Sequence, residues 1–96
     1  MMTDREKNQA QIEARLRQFG QSLSELKLKT EQRRDKFNGQ MKQTVDAIEG
    51  QHEKARQRLQ AMASLGDDDW SAAEGDINRY IDDIDADLRK ALAYFK

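Results

Sequence analysis

Along nearly the whole of this 96-residue chain, apolar or small side chains recur every three or four positions, and that period constrains the fold more than any motif does. Ile12, Leu16, Phe19, Leu23, Leu26, Thr30, Arg33, Phe37, Met41, Val45, Ile48, His52, Ala55, Leu59 and Met62 keep the spacing. After Leu65-Gly66-Asp67-Asp68-Asp69 it resumes with Trp70, Ala73, Ile77, Ile81, Ile84, Leu88, Ala91 and Phe95. A stripe of this period is one face of an amphipathic helix, and over this many turns it predicts helices packed as a coiled coil. The chain contains no proline, which would cost about 3 kcal/mol inside a helix.

The length fits one domain, 1–96. Hydrophobic and charged residues each make up 36%, a composition that would suit a disordered tail if the apolar positions were not phased. Cysteine is absent, which excludes disulfides and thiolate chemistry. No apolar run approaches the roughly 20 residues of a membrane span, and Met1-Met2-Thr3-Asp4-Arg5-Glu6-Lys7 is too polar for a signal peptide. A cytoplasmic location is the expectation. The net charge of −1 hides an asymmetry: residues 1–65 carry 13 Lys/Arg against 9 Asp/Glu, whereas 66–96 carry 4 against 9. A basic segment followed by an acidic one invites the two to pack together.

Local signals divide the chain. Thr3 or Asp4 can cap a first helix, which the period carries to Leu65, with Gly66 suited to a left-handed stop. Asp67, Asp68 and Asp69 supply a cap and a favourable first-turn charge for a second helix from Trp70. The short link predicts antiparallel neighbours. Setting Met62 against Ala73, Ile48 against Leu88 and Met41 against Phe95 brings Asp82 opposite Lys54 and Lys90 opposite Asp46. The expected fold class is therefore all-α: an antiparallel helical hairpin with a long helix over 4–65 and a shorter one over 70–95. Its core comprises Met41, Val45, Ile48, Leu59, Met62, Trp70, Ile77, Ile81, Ile84, Leu88 and Phe95.

The second helix is too short to cover the first. Ile12, Leu16, Phe19, Leu23 and Leu26 are then left for self-association, with a dimer favoured. Around Phe37, Met41 and Val45 the spacing slips to 4-4 beside Asn38-Gly39. Either this is a stutter in one long helix, or it is a turn that makes a three-helix bundle. Gly20, Gly50 and Gly75 also lie within helical pattern, so glycine alone does not mark a break, and the long helix is the favoured reading.

Chemistry-bearing motifs are sparse. Asp67-Asp68-Asp69 lacks the alternating ligands, the glycine at position six and the Glu at position twelve of a calcium loop, so a cap is the better account. His52, alone on the seam, is a register-setting residue rather than a metal ligand. Arg33 and Thr30 have the same role on the proximal seam. Trp70 anchors the tip of the hairpin. Lys27, Lys29, Arg33, Arg34 and Lys36 could meet phosphates, but Glu31 and Asp35 dilute them and a solvated face is the default. No catalytic residues, cofactor site or metal site are expected.

The stripe, the Leu65-Gly66-Asp67-Asp68-Asp69-Trp70 turn, the Ile77/Ile81/Ile84/Leu88 stripe and the Phe95-Lys96 ending together resemble a family of small bacterial coiled-coil proteins, sometimes labelled stress-response proteins. The likeness covers nearly the whole chain. Tyr80 and Ile81 stand where members often carry a further tryptophan. The resemblance implies a helical hairpin, with no cofactor and no functional residues to carry over. The expected function is non-enzymatic interaction or scaffolding by self-association, in the stress-related setting that the label implies. Reversible binding to a membrane surface through an amphipathic helix bearing Phe19 and Phe37 is the alternative, and nucleic-acid binding stands third.

Overall fold

The computed structural model describes residues 3–95 and consists of three helices, α1 (Asp4–Gln32), α2 (Gly39–Met62) and α3 (Asp67–Tyr94), with no strand among the described residues. Lys96, which the resemblance joins to Phe95, lies outside the described residues, as do Met1 and Met2.

α1 starts where its sequence supplies a reciprocal cap. The Glu6 N–H donates to Thr3 Oγ1 at 3.2 Å, and the Glu6 carboxylate accepts from the Thr3 N–H. Such a box satisfies two orphan donors and is worth about 1 kcal/mol.

The long helix expected over 4–65 is interrupted. α1 stops at Gln32, and Arg33 leaves helical geometry at φ −118°, ψ 53°. Residues 33–38 form a connection held by the Lys36 N–H on Arg33 O at 3.0 Å and the Phe37 N–H on Arg34 O at 3.2 Å. Asn38 then caps α2, its side-chain oxygen accepting the Met41 N–H at 2.9 Å. Two residues would be too short a link. Unwinding the turn ahead of Asn38 gives the chain room to reverse, and the slip of the stripe to 4-4 marks the place.

The second connection departs in detail from its sequence reading. α2 ends at Met62, and Gly66 has φ −68°, ψ 167°, an extended N-cap of α3 rather than a left-handed stop. Among the described residues no side chain caps α3. Asp67, Asp68 and Asp69 form its first turn, where their charge suits the helix dipole.

Contacts fix the direction of the helices. Arg5 pairs with Asp67 and Arg15 with Asp82, so α1 and α3 run parallel. His52 bonds to Leu16 and Lys27 pairs with Glu49, so α2 runs against α1. The result is an up-down-up bundle with principal extents of 50 × 23 × 16 Å. The α1 side chains Ile12, Leu16, Phe19, Leu23 and Leu26 are all buried in a core shared with α2 and α3. The stripe that had no partner in a hairpin finds one inside its own chain. Of the expected hairpin core, Met41 and Leu59 are only half-buried, and the other nine residues are buried. The charge pairs used for register do not form: Asp82 goes to Arg15 and Asp46 to Lys42.

Candidate interaction surface

α2 is the middle helix in sequence and runs against both others, so its two flanks floor two of the long grooves on the bundle surface. The α1–α2 groove holds about 460 Å³ and is lined by Leu16, Leu59 and His52, with Arg17, Arg56 and Glu13 around them. His52 closes its upper end. Its Nε2 lies 3.1 Å from the Leu16 carbonyl oxygen, which can only accept, so Nε2 carries the proton. The ring stacks on Phe19 at 5.0 Å between centroids. Gly20 lies beside this ring, and a Cβ there would meet His52 Cε1 at an ordinary contact distance of 3.6 Å. His52 thus bridges α2 to α1 through the Leu16 carbonyl and the Phe19 ring.

The opposite flank of α2 forms the α2–α3 groove, with a volume of about 370 Å³. Its floor is Ile48 and Ala91, and Met41, Ala47 and Tyr94 rise around it. Met41 is half-buried, and Tyr94 is one of two large apolar side chains that stay exposed among the described residues. The groove continues past Met41, Thr44 and Tyr94 to Asn38 and Gln40. Tyr94 is fixed in place because its hydroxyl donates to the Lys36 carbonyl at 2.8 Å.

Gln40, Gln43, Thr44, Ala47, Gly50 and Gln51 share this flank by helical spacing, and none is charged; the charges on this face, Lys54 and Arg58, come only in the later turns of α2. In a chain that is 36% charged, such a flank is unusual. Depletion of charge is the compositional mark of an interface centre. Among the described residues no ion pair crosses from α2 to α3, whereas two tie α1 to α3 and one ties α1 to α2. Sequence reading by seam positions missed this flank, although counting charges on each face of 40–51 would have found it.

Trp70 is buried at the end where α1 and α3 begin, beneath the Arg5 guanidinium at 5.5 Å. Arg5 also donates to Asp67 Oδ1 at 2.9 Å and to the Met62 and Ala63 carbonyls. Arg33 belongs to the α1–α2 connection and pairs with Asp35 at 3.5 Å, so it is not a seam residue. Thr30 donates its hydroxyl to Lys27 O. The basic stretch is divided between the end of α1 and that connection, with Lys27 taken up by Glu49. Among the described residues no three His, Asp or Glu side chains are grouped to hold a metal. Among the described residues no helix is long and apolar enough to cross a membrane. Compared with family models, with curated proteins and with solved structures, the chain matches none.

Proposed function

We propose that this chain is a non-enzymatic helical interaction module that acts in the cytoplasm by self-association. The observation that carries this reading is apolar surface left over after the core is complete. Leu59 on one flank of α2, and Met41 with Tyr94 on the other, stay partly exposed beside long grooves. The stripe Ile12, Leu16, Phe19, Leu23 and Leu26 is engaged internally, so the work of association passes to the flanks of α2. Grooves between helices accept a further helix by burying apolar side chains at helical spacing. Coiled-coil packing along the α2–α3 seam, and the stress-related setting implied by the resemblance, belong to the same proposal. Sedimentation equilibrium over a wide concentration range tests it. A mass that rises from monomer towards an oligomer is expected, and a monomer throughout would overturn the reading.

One observation favours a second reading, attachment to an anionic surface. Leu28 is 52% exposed and stands between Lys27 and Lys29 on the outer face of α1. An apolar side chain flanked by cations suits a lipid headgroup layer. Flotation with anionic vesicles, lost on Leu28→Ala, would favour it over self-association.

A further inference from the structure

We propose that the α2–α3 groove is a two-fold interface between two copies of this chain, with the axis passing over Ala47 on α2 and between Asp87 and Lys90 on α3. This deepens the self-association reading and rests on it. Three observations converge on the same level of the bundle.

The first is the uncharged flank. In an isologous interface each residue near the axis meets its own copy, so a charge there would face its like. A foreign partner could answer a charge there with its opposite; a second copy can do so only for residues that straddle the axis, not for one that lies on it. Gln40, Gln43, Thr44, Ala47, Gly50 and Gln51 meet that requirement. With Ala47 on the axis and α2 antiparallel to its copy, Gln43 falls opposite Gln51 and Thr44 opposite Gly50, so the pairings nearest the axis are neutral, and Lys54 at the next level meets the uncharged Gln40.

The second is size. Ala47 is exposed, and a Cβ added to Gly50 would meet nothing within 4 Å. Small side chains at the crossing let two helix backbones approach, and the longer Met41 and Tyr94 lie to the side, where they can close over the contact.

The third is charge reciprocity. Asp87 and Lys90 lie one turn apart on α3, line the same groove as Ala47, and form no ion pair among the described residues. An axis midway between them sets Asp87 of each copy against Lys90 of the other, giving two equivalent pairs from one operation. Rim pairs of this kind select orientation more than they add affinity.

The groove offers few large apolar side chains for burial, Met41 and Tyr94 among them, which predicts a weak, concentration-dependent dimer. Sedimentation equilibrium on the full chain and two sets of variants tests this. Ala47→Glu puts two carboxylates on the axis and should weaken dimerisation by at least about tenfold. Because Ala47 is exposed, the thermal melt of the dilute monomer should not move. Lys90→Asp should weaken the dimer, and the exchange Asp87→Lys with Lys90→Asp should restore it. If the wild-type chain dimerises and neither Ala47→Glu nor Lys90→Asp changes the constant, this interface is overturned while self-association by another surface stands. If the wild-type chain remains monomeric at every concentration, both are overturned.

Discussion

Single side chains decide how the ends of this bundle are held. Trp70 is 1% exposed, and its Nε1 is buried without a hydrogen-bond partner among the described residues. A buried unsatisfied donor costs about 1–3 kcal/mol, so the indole contributes volume at a penalty. Trp70→Phe loses some packing but removes the penalty, and its net effect should fall within about 1 kcal/mol, whereas Trp70→Ala should cost about 3–5 kcal/mol. Urea unfolding followed by circular dichroism at the helical band distinguishes the two; equal losses would mean that the ring nitrogen carries no cost. Arg5 joins all three helices by lying over Trp70, pairing with Asp67 and donating to carbonyls at the end of α2. Its side chain is 27% exposed, so the ion pair is partly screened, and Arg5→Ala should cost only about 1 kcal/mol, a loss that shrinks in high salt. Unfolding curves at low and high salt test both points.

At the scale of the elements, helix against strand was legible from spacing alone, and the start of α1 was legible to within a residue, as a cap at Thr3 or Asp4. The break at Asn38 was not. Its local marks are an Asn-Gly pair and a slipped stripe, and the same chain places Gly20, Gly50 and Gly75 inside helices. What selects the turn is distant: α1 folds back only because α2 and α3 together offer a groove that its five apolar side chains fill. The candidate surface escaped for a related reason. Seam residues announce themselves by being apolar, whereas the flank at 40–51 is marked only by lacking charge, and that absence has meaning once the facing helix is known. These elements carry two predictions. Asn38→Ala removes the side-chain acceptor for the Met41 N–H and should destabilise the bundle by about 1 kcal/mol. Gly75 lies on an exposed turn of α3 with nothing within 4 Å of an added Cβ, so Gly75→Ala should stabilise by about 0.5–1 kcal/mol. Thermal melts of the two variants should move in opposite directions.

For the molecule as a whole, the three-helix arrangement and a hairpin make opposite claims about α1. In a hairpin, α2 and α3 would close on each other and the segment at 4–32 would be an extension available to a partner. In the bundle, α1 supplies Ile12, Leu16, Phe19, Leu23 and Leu26, each no more than 6% exposed. Burial of such a side chain is worth about 1.5–3 kcal/mol, so together they contribute on the order of 10 kcal/mol, comparable with the entire stability of a domain, about 5–15 kcal/mol. Extended-chain reference states inflate that sum, but even half of it matches the lower bound. A fragment beginning at Lys36 therefore keeps two helix-forming sequences and loses the surface on which they pack. It should show weak helicity and no cooperative melt, because isolated helices of this length are marginal in water. Adding a peptide of residues 1–35 should restore helicity and a cooperative transition as its concentration rises, which circular dichroism can follow. A cooperative melt of the fragment alone, unchanged by the peptide, would return α1 to the status of an open arm and make its stripe an outward-facing surface.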